Sequence, residues 1–402
     1  MIKELYQTKL QEVSLNVTDS QIDALRTKNI TKSGCRVYDH GFFGIAGNLG
    51  EPKGETWNQA QENLARKLPC PWGPGTNGQR HCRLGGEMTA DQFLAQAEGL
   101  LATLRQDFPQ FQFSNKLNWV EREVRLKNDA GLDYLYRDAV IEISLLVRSL
   151  DSANIFDTGL SGVYRTFSPE QFLAEARQIL EAHLHPIAMP EQEKMAALFS
   201  PYEFQRAWEQ GLSGQKLARN ASPWSGKVGQ QLFSPAFTLQ VDRSADNELE
   251  PFFDGEGATL PADTMPLIEH GVLRRGFSDK KCAWTYGVEN TASGEGEYDD
   301  VPGLTMPPLS VAHTGKTLAE ILDGRPALYM MTSGGDVTAD GSYASPVQVA
   351  YLYQDGKLLG RLPEFGIRGM LTDIFGKDYL GSAIDRPFDN SRPCVAEFTL
   401  VR

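Results

Sequence analysis

The sequence lacks any apolar run long enough to cross a membrane. A spanning helix needs roughly 18 consecutive uncharged apolar residues, and no stretch approaches that. The opening, MIKELYQTKLQEV, carries Lys and Glu where a secretory signal would have its apolar core, so a cytoplasmic location is expected. Positive charge is also in deficit, with 39 Lys plus Arg against 52 Asp plus Glu and a net charge of −13. That balance repels phosphate backbones and anionic headgroups, which argues against direct binding to nucleic acid or membrane. Cysteine is scarce: five residues, an odd number, at Cys35, Cys70, Cys82, Cys282 and Cys394, and reduced thiols are expected. Stability must therefore come from an apolar core, and 402 residues at 41% apolar can bury a large one. The length predicts about two or three domains.

Several short motifs fail for want of context. The pattern G-x-S-x-G is absent, which removes support for a serine-hydrolase elbow. Gly73-x-Gly75-x-x-Gly78 has dinucleotide spacing, but it contains Pro74, follows Cys-Pro-Trp and leads into no helix. Thr314-Gly315-Lys316-Thr317 ends like a phosphate loop, yet the first glycine of that pattern would fall at Ser310; Thr317 and Glu320 instead have capping-box spacing. Cys70, His81 and Cys82 surround a Pro/Gly-rich stretch that could form a metal knuckle, but no second close Cys pair completes four ligands, and a surface loop is expected. His183 and His185 could share one strand face as metal ligands; with no third ligand nearby they are expected to be polar surface.

What is present reads as alternating blocks. Residues 9–48 give short strands, with Asp39-His40-Gly41 as a turn between the last two, and predict an antiparallel meander. Residues 56–68 and 89–107 have helical spacing, with Thr89 as N-cap, and predict two helices on that sheet. Further strands follow at 118–128, 132–150 and 161–167, then a helix opening at Ser168-Pro169. After a short apolar strand, a helix starts at Ser200-Pro201 and is expected to end at Gly211. From about residue 232 strand signals dominate, interrupted by one helix at 317–322. The prediction is an α+β fold: a sheet-plus-helices domain over residues 1–185, then a β-rich, mostly antiparallel domain over residues 186–402.

Asp254-Gly255-Glu256-Gly257, Leu267-Ile268-Glu269-His270-Gly271-Val272-Leu273, Ser333-Gly334-Gly335 and Ile367-Arg368-Gly369 follow one another at spacings that agree over most of the chain with the TldD/PmbA family. The sequence resembles that family, whose members are known as modulators of DNA gyrase and as peptide-maturation proteases. The resemblance implies a two-domain subunit that dimerises and handles extended peptides. In the TldD branch a helix bears H-E-x-x-x-H, two zinc ligands and a general base, and a cysteine near the C-terminus completes the site. In the PmbA branch, also called TldE, those residues are missing and the subunit pairs with a TldD.

Counting back without a gap from Ser225-Gly226-Lys227-Val228-Gly229, the H-E-x-x-x-H window falls on Gln205 to Gln210. Gln205 and Gln210 replace the histidines and Arg206 replaces the glutamate. A neutral amide is a poor Zn²⁺ ligand, and an arginine with a pKa above about 12 cannot act as a base. The chain is therefore expected to hold no catalytic residue and no cofactor of its own, with zinc supplied by a TldD-like partner. Cys394 lies near the position of the active branch's cysteine; as a lone thiol it is expected to be buried packing, and otherwise a vestigial ligand. The helix over 201–210 either only packs, through Tyr202, Phe204 and Trp208, or lines a peptide groove. Gly334 and Gly335 beside Ser333 allow close backbone approach, which suits either a peptide added as a strand or a β-bulge. Three functions remain open: a non-catalytic subunit of a zinc peptidase acting on unfolded peptides, working as a homodimer or with a TldD-like metallopeptidase; a self-sufficient metallopeptidase homodimer with an unrecognised metal site; and a stand-alone peptide-binding protein.

Overall fold

A computed structural model describes residues 1–402. The chain opens with β1 (Ile2–Thr18) and β2 (Gln21–Asp39), paired antiparallel along their whole length, and returns through β3 (Phe42–Leu49). His40 and Gly41 both take positive φ, the two-residue turn whose twist matches the flanking strands. The meander is thus as expected, but β2 continues through residues 21–32. Their side chains are mostly exposed, which is why QIDALRTKNITK shows no apolar alternation.

Helix α1 (Gly54–Glu62) covers β3, followed by β4 (Leu68–Pro69) and β5 (Gly78–Leu84). Residues 78–84 were expected to be loop; they form a strand that pairs in parallel with a later one. Helix α2 (Ala90–Asp107) starts at a Thr89 capping box with Gln92. Strands β6 (Phe111–Asn128), β7 (Leu132–Ser149) and β8 (Thr158–Tyr164) complete a sheet ordered β4-β3-β2-β1-β6-β7-β5, with β8 also on β7. Helix α3 (Pro169–Leu184) is capped by Ser168 and, with α2, buries Phe93, Leu100, Leu104, Phe172 and Ile179 against the sheet. His183 and His185 fall in the last turn and cap of this helix, not on a strand. His183 is buried and bonded to Tyr351 and Arg361, while the His185 ring meets the Glu181 carbonyl.

The remainder begins with β9 (Lys194–Phe199), a single 3₁₀ turn at Pro201–Phe204, and helices α4 (Gln205–Leu212) and α5 (Gly214–Ala218). Short strands β10 (Leu239–Asp242), β11 (Thr264–Glu269) and β12 (Val272–Leu273), helix α6 (Lys280–Tyr286), the ribbon β13 (Gly294–Glu295) and β14 (Gly303–Leu304), strand β15 (Leu309–Val311) and helix α7 (Leu318–Leu322) follow. The last segment holds β16 (Ala327–Ser333), β17 (Asp336–Val337), β18 (Ser342–Gln354), β19 (Lys357–Arg361), β20 (Phe365–Met370), α8 (Leu371–Ile374), β21 (Tyr379–Ser382) and β22 (Cys394–Val401). Besides the predicted α7, this region thus contains α6, a short helix capped by Asp279 that buries little, and α8.

Strands β16, β9, β22, β20 and β18 pair in that order, and β18 pairs back onto β16, so the second large sheet closes on itself. Closure leaves that ring without a free edge. Among the named strand pairings only β5–β7 and β16–β9 are parallel. The fold is α+β and mostly antiparallel, as the block arrangement of the sequence predicts. No helix is long and apolar enough to cross a membrane.

Candidate functional site

A cleft runs between the first sheet and the segment after β10. Its narrower part encloses about 560 Å³ and its wider part about 880 Å³, and the two adjoin across Glu142, Val163, Tyr202, Asn247 and Glu248. One wall comes from β1, β6, β7 and β8 through Tyr6, Arg122, Val124 and Val163. The other comes from residues 247–255, Glu295 and Met306-Pro307-Pro308. Gln205, the first residue of α4, reaches the narrower part, beside Tyr202 of the preceding turn.

The loop after β10 is held by buried arginines and carboxylates. Arg243, 1% exposed, donates to the carbonyls of Ala292, Pro251 and Phe253 and to Glu295 at 2.8 Å. Asp138, fully buried in β7, takes Arg165 in a forked pair and accepts the Leu249 N–H at 2.8 Å. Arg122 donates to the Leu249 carbonyl at 2.9 Å. Between these two clamps Leu249 adopts φ 61°, a left-handed conformation that a leucine keeps only where its surroundings impose it. Strain of that kind concentrates at functional sites.

The Asp254-Gly255-Glu256-Gly257 motif forms the floor behind the cleft. Asp254 accepts backbone N–H groups of Glu256, Ala258 and Gly294. The Gly255 carbonyl accepts from Arg36 at 2.6 Å, and Arg36 also meets Glu4 at 3.4 Å with its guanidinium 4.6 Å from the centre of the Tyr6 ring. Burial, then the Asp254 charge, raises the Glu256 carboxyl well above the usual carboxylate range.

The predicted site residues scatter around this cleft. Gln205 lines it. Arg206 is exposed and paired with Asp336 at 2.6 Å, and Gln210 accepts from Lys216 at 2.6 Å. Trp208 does not line the cleft: at 1% exposure it sits in an aromatic cluster with Trp224, Phe233, Phe237 and Phe375, touching only a small pocket beneath Tyr202 and Gln205. Tyr202, expected to pack, is 58% exposed instead. Gly211 does not end the helix. A side chain there would come within 2.3 Å of the Trp224 ring, so the glycine lets that indole lie against α4, which continues through Leu212.

Ser333 and Gly334 line a separate cavity of about 1050 Å³, bordered by Ile155 and Phe156. Gly335 faces no cavity. A Cβ there would meet Ser345 and the Ala344 carbonyl at 2.6 and 2.7 Å, so its close approach is to the chain's own β18. The pairing register slips twice between Met330 and Ser333, the signature of a bulge. Cys394 is fully buried opposite Phe199, and burial pushes its thiol up to about 12. His81 and Cys82 are successive residues of β5 and point to opposite faces of the sheet, so they do not converge with Cys70. Sequence reasoning missed Tyr6, Arg122, Leu249, Glu250 and Glu295; the acid-rich run Asp246-Asn247-Glu248-Leu249-Glu250 was its one local signal.

Residues 192–389 match the sequence profile of the PmbA/TldA metallopeptidase C-terminal domain, and the whole fold superposes on TldE from Thermococcus kodakarensis with a TM-score of 0.80. The chain belongs to the TldD/PmbA family. The TldE likeness covers 100% of this chain and 96% of that one at 17% identity. A Thermotoga maritima protein described as a modulator of a DNA gyrase superposes at 0.69 with 18% identity, covering 100% and 95%. These two likenesses concern the fold. In sequence the chain is 29% identical over 156 residues to the metalloprotease TldD homologue of Haemophilus influenzae, covering 37% of this chain and 31% of the relative. It is 26% identical over 174 residues to that of Buchnera aphidicola, covering 42% and 35%. The alignment thus spans about a third of each curated relative's length. The TldD/PmbA segment contains α4 and the whole 247–255 wall, whereas Tyr6, Arg122 and Val163 lie before it.

Proposed function

We propose that the protein is a PmbA/TldE-type subunit of a cytoplasmic peptidase complex: it binds unfolded or extended peptide in the cleft and contributes no zinc site of its own. A TldD-like metallopeptidase supplies the metal and the general base, and the working unit is a dimer. The observation that carries this reading is the state of α4. The helix of the family's zinc motif is intact and its first position opens on the cleft, but the three positions bear Gln205, Arg206 and Gln210.

These residues do not fit a zinc ion. Both amides are neutral, Gln210 is held by Lys216, and the Arg206 cation is engaged by Asp336. Cys394 is packed in the apolar core, and burial holds the proton on its thiol. Within the single chain no three His, Cys, Asp or Glu side chains gather in metal-binding geometry.

The test is to mix the chain with a TldD-like protein bearing intact H-E-x-x-x-H and follow cleavage of an unfolded peptide beside size-exclusion chromatography. A mixed complex with cleavage above that of the TldD-like protein alone is expected. A monomeric chain that forms no complex and leaves cleavage unchanged would sink the proposal, as would chelator-sensitive cleavage by this chain alone.

A further inference from the structure

The cleft is acidic in a way that its structural hydrogen bonds do not use up. In the narrower part the carboxylates of Glu142, Glu248, Glu250 and Glu295 face a single cation, Arg122, whose guanidinium is engaged by the Leu249 carbonyl. Glu295 is paired with Arg243 at 2.8 Å and Glu248 lies 3.5 Å from Arg386, but Glu250, half-buried, has neither an ion pair nor a hydrogen bond.

An acidic lining alone is ordinary solvated surface; Tyr6 supplies the independent sign of a ligand. It is 5% exposed, its ring is fixed beneath the Arg36 guanidinium, and it borders the same cavity. Its hydroxyl makes no hydrogen bond to the protein and is left to the cavity that the residue borders. The hydroxyl's bonding capacity is unspent, and its charged neighbours are Glu295 and the arginines Arg122, Arg36 and Arg243, the last two engaged by Glu4 and Glu295. Val163 from the first sheet, and Met306, Pro307 and Pro308 from the wall that also carries Glu248, Glu250 and Glu295, add apolar surface to the same cavity. Carboxylates, an open hydroxyl and apolar surface in one cavity match a long aliphatic stem that ends in a cation.

We propose that the cleft selects cationic peptide segments, a lysine or arginine side chain or the peptide's own ammonium terminus passing Tyr6 to meet Glu250 and its neighbours. This rests on the peptide-subunit reading and adds a side-chain preference to it. A cation between low-dielectric walls gains more from those carboxylates than it would in bulk water, and nearby anionic segments are repelled.

The test is fluorescence polarisation of the full chain with three labelled unfolded peptides of equal length, carrying Lys, Gln or Glu at the same positions, each with a free or an acetylated amino terminus. Binding is expected in the order Lys, Gln, Glu, with roughly tenfold between the first two at low ionic strength and less as salt rises. Glu250→Gln should reduce the Lys preference and leave the Gln peptide unchanged. Tyr6→Phe should weaken the Lys peptide roughly fivefold without moving the melting temperature, since that hydroxyl bonds nothing in the fold. The acetylated arm tells a terminal ammonium from a side-chain cation. Equal binding of the Lys and Gln peptides, or a Lys preference untouched by Glu250→Gln, overturns the proposal. Binding of none of the peptides overturns it together with the peptide-subunit reading.

Discussion

Phe204 and Trp208 are each 1% exposed, while Gln205, Arg206, Glu209 and Gln210, on the opposite side of the same short segment, all face solvent. The buried side meets Phe199, Phe237 and Phe375 at ring separations of 4.7 to 5.9 Å across the cluster, and Gly211 admits Trp224 beside it. The exposed side makes an ion pair and a hydrogen bond that reach only surface neighbours. The helix is therefore anchored by one face, and the chemistry on the other can be exchanged without disturbing the fold. A scaffold built this way can exchange the residues on the exposed face of the helix and keep its shape.

The largest test of that contrast removes the anchor. Trp208→Ala should cost about 3–5 kcal/mol and expose the aromatic cluster, read as a fall in the urea midpoint. A loss below about 1 kcal/mol would mean that the helix is held from its polar side after all.

An intermediate test uses the boundary between the faces. Glu203, just before α4, accepts the Tyr343 hydroxyl at 2.9 Å, and burial raises its carboxyl above the ordinary range. A carboxyl with a raised folded-state pKa binds its proton more tightly folded than unfolded. Its contribution is thus full below the unfolded pKa, near about 4.3, and is lost as pH rises through the folded value. Glu203→Gln should leave stability unchanged at the acid end and raise it relative to the parent near neutral pH, by less than the tryptophan effect. Urea titrations at pH 3.5, below the unfolded value, and at pH 7.5 measure this, and parallel curves would refute it.

The smallest expected effect is on the exposed face. Arg206→Ala breaks an ion pair open to water and should change stability by no more than about 0.5 kcal/mol, with thermal melting as the check. Gln205→His, Arg206→Glu and Gln210→His together should leave the circular dichroism spectrum unchanged; zinc bound by that triple variant would sharpen the contrast by showing that only the outer face had drifted.

The sequence made the long helices legible because their ends are written in local chemistry: Thr89 with Gln92, Ser168 before Pro169, Thr317 with Glu320. It hid the outer half of β2, because a strand exposed on both faces needs no apolar alternation, and it hid α6, whose one buried side chain is Cys282. Gly211 and Gly335 looked like a helix stop and a ligand approach. Each turned out to make room for the chain's own Trp224 or β18, contacts that only tertiary structure reveals. That Gln205, Arg206 and Gln210 stand where the family's TldD branch carries H-E-x-x-x-H is a reading of identity and count alone, and the structure adds only that all three are exposed. The cleft was not legible, since Tyr6, Arg122, Glu250 and Glu295 are scattered over nearly three hundred positions and meet only through the packing of the first sheet against the segment after β10.

The left-handed turn at Leu249 has a consequence for how the molecule matures. Its N–H is fixed by Asp138 and its carbonyl by Arg122, both on the first sheet, while the residue itself belongs to the far wall. Neither half can present the finished cleft before the other has docked against it. An incompletely assembled chain, or residues 192–389 released on their own, would leave that leucine free to relax into an extended conformation and the wall to open. The cleft thus takes its shape only when both of its walls are in place.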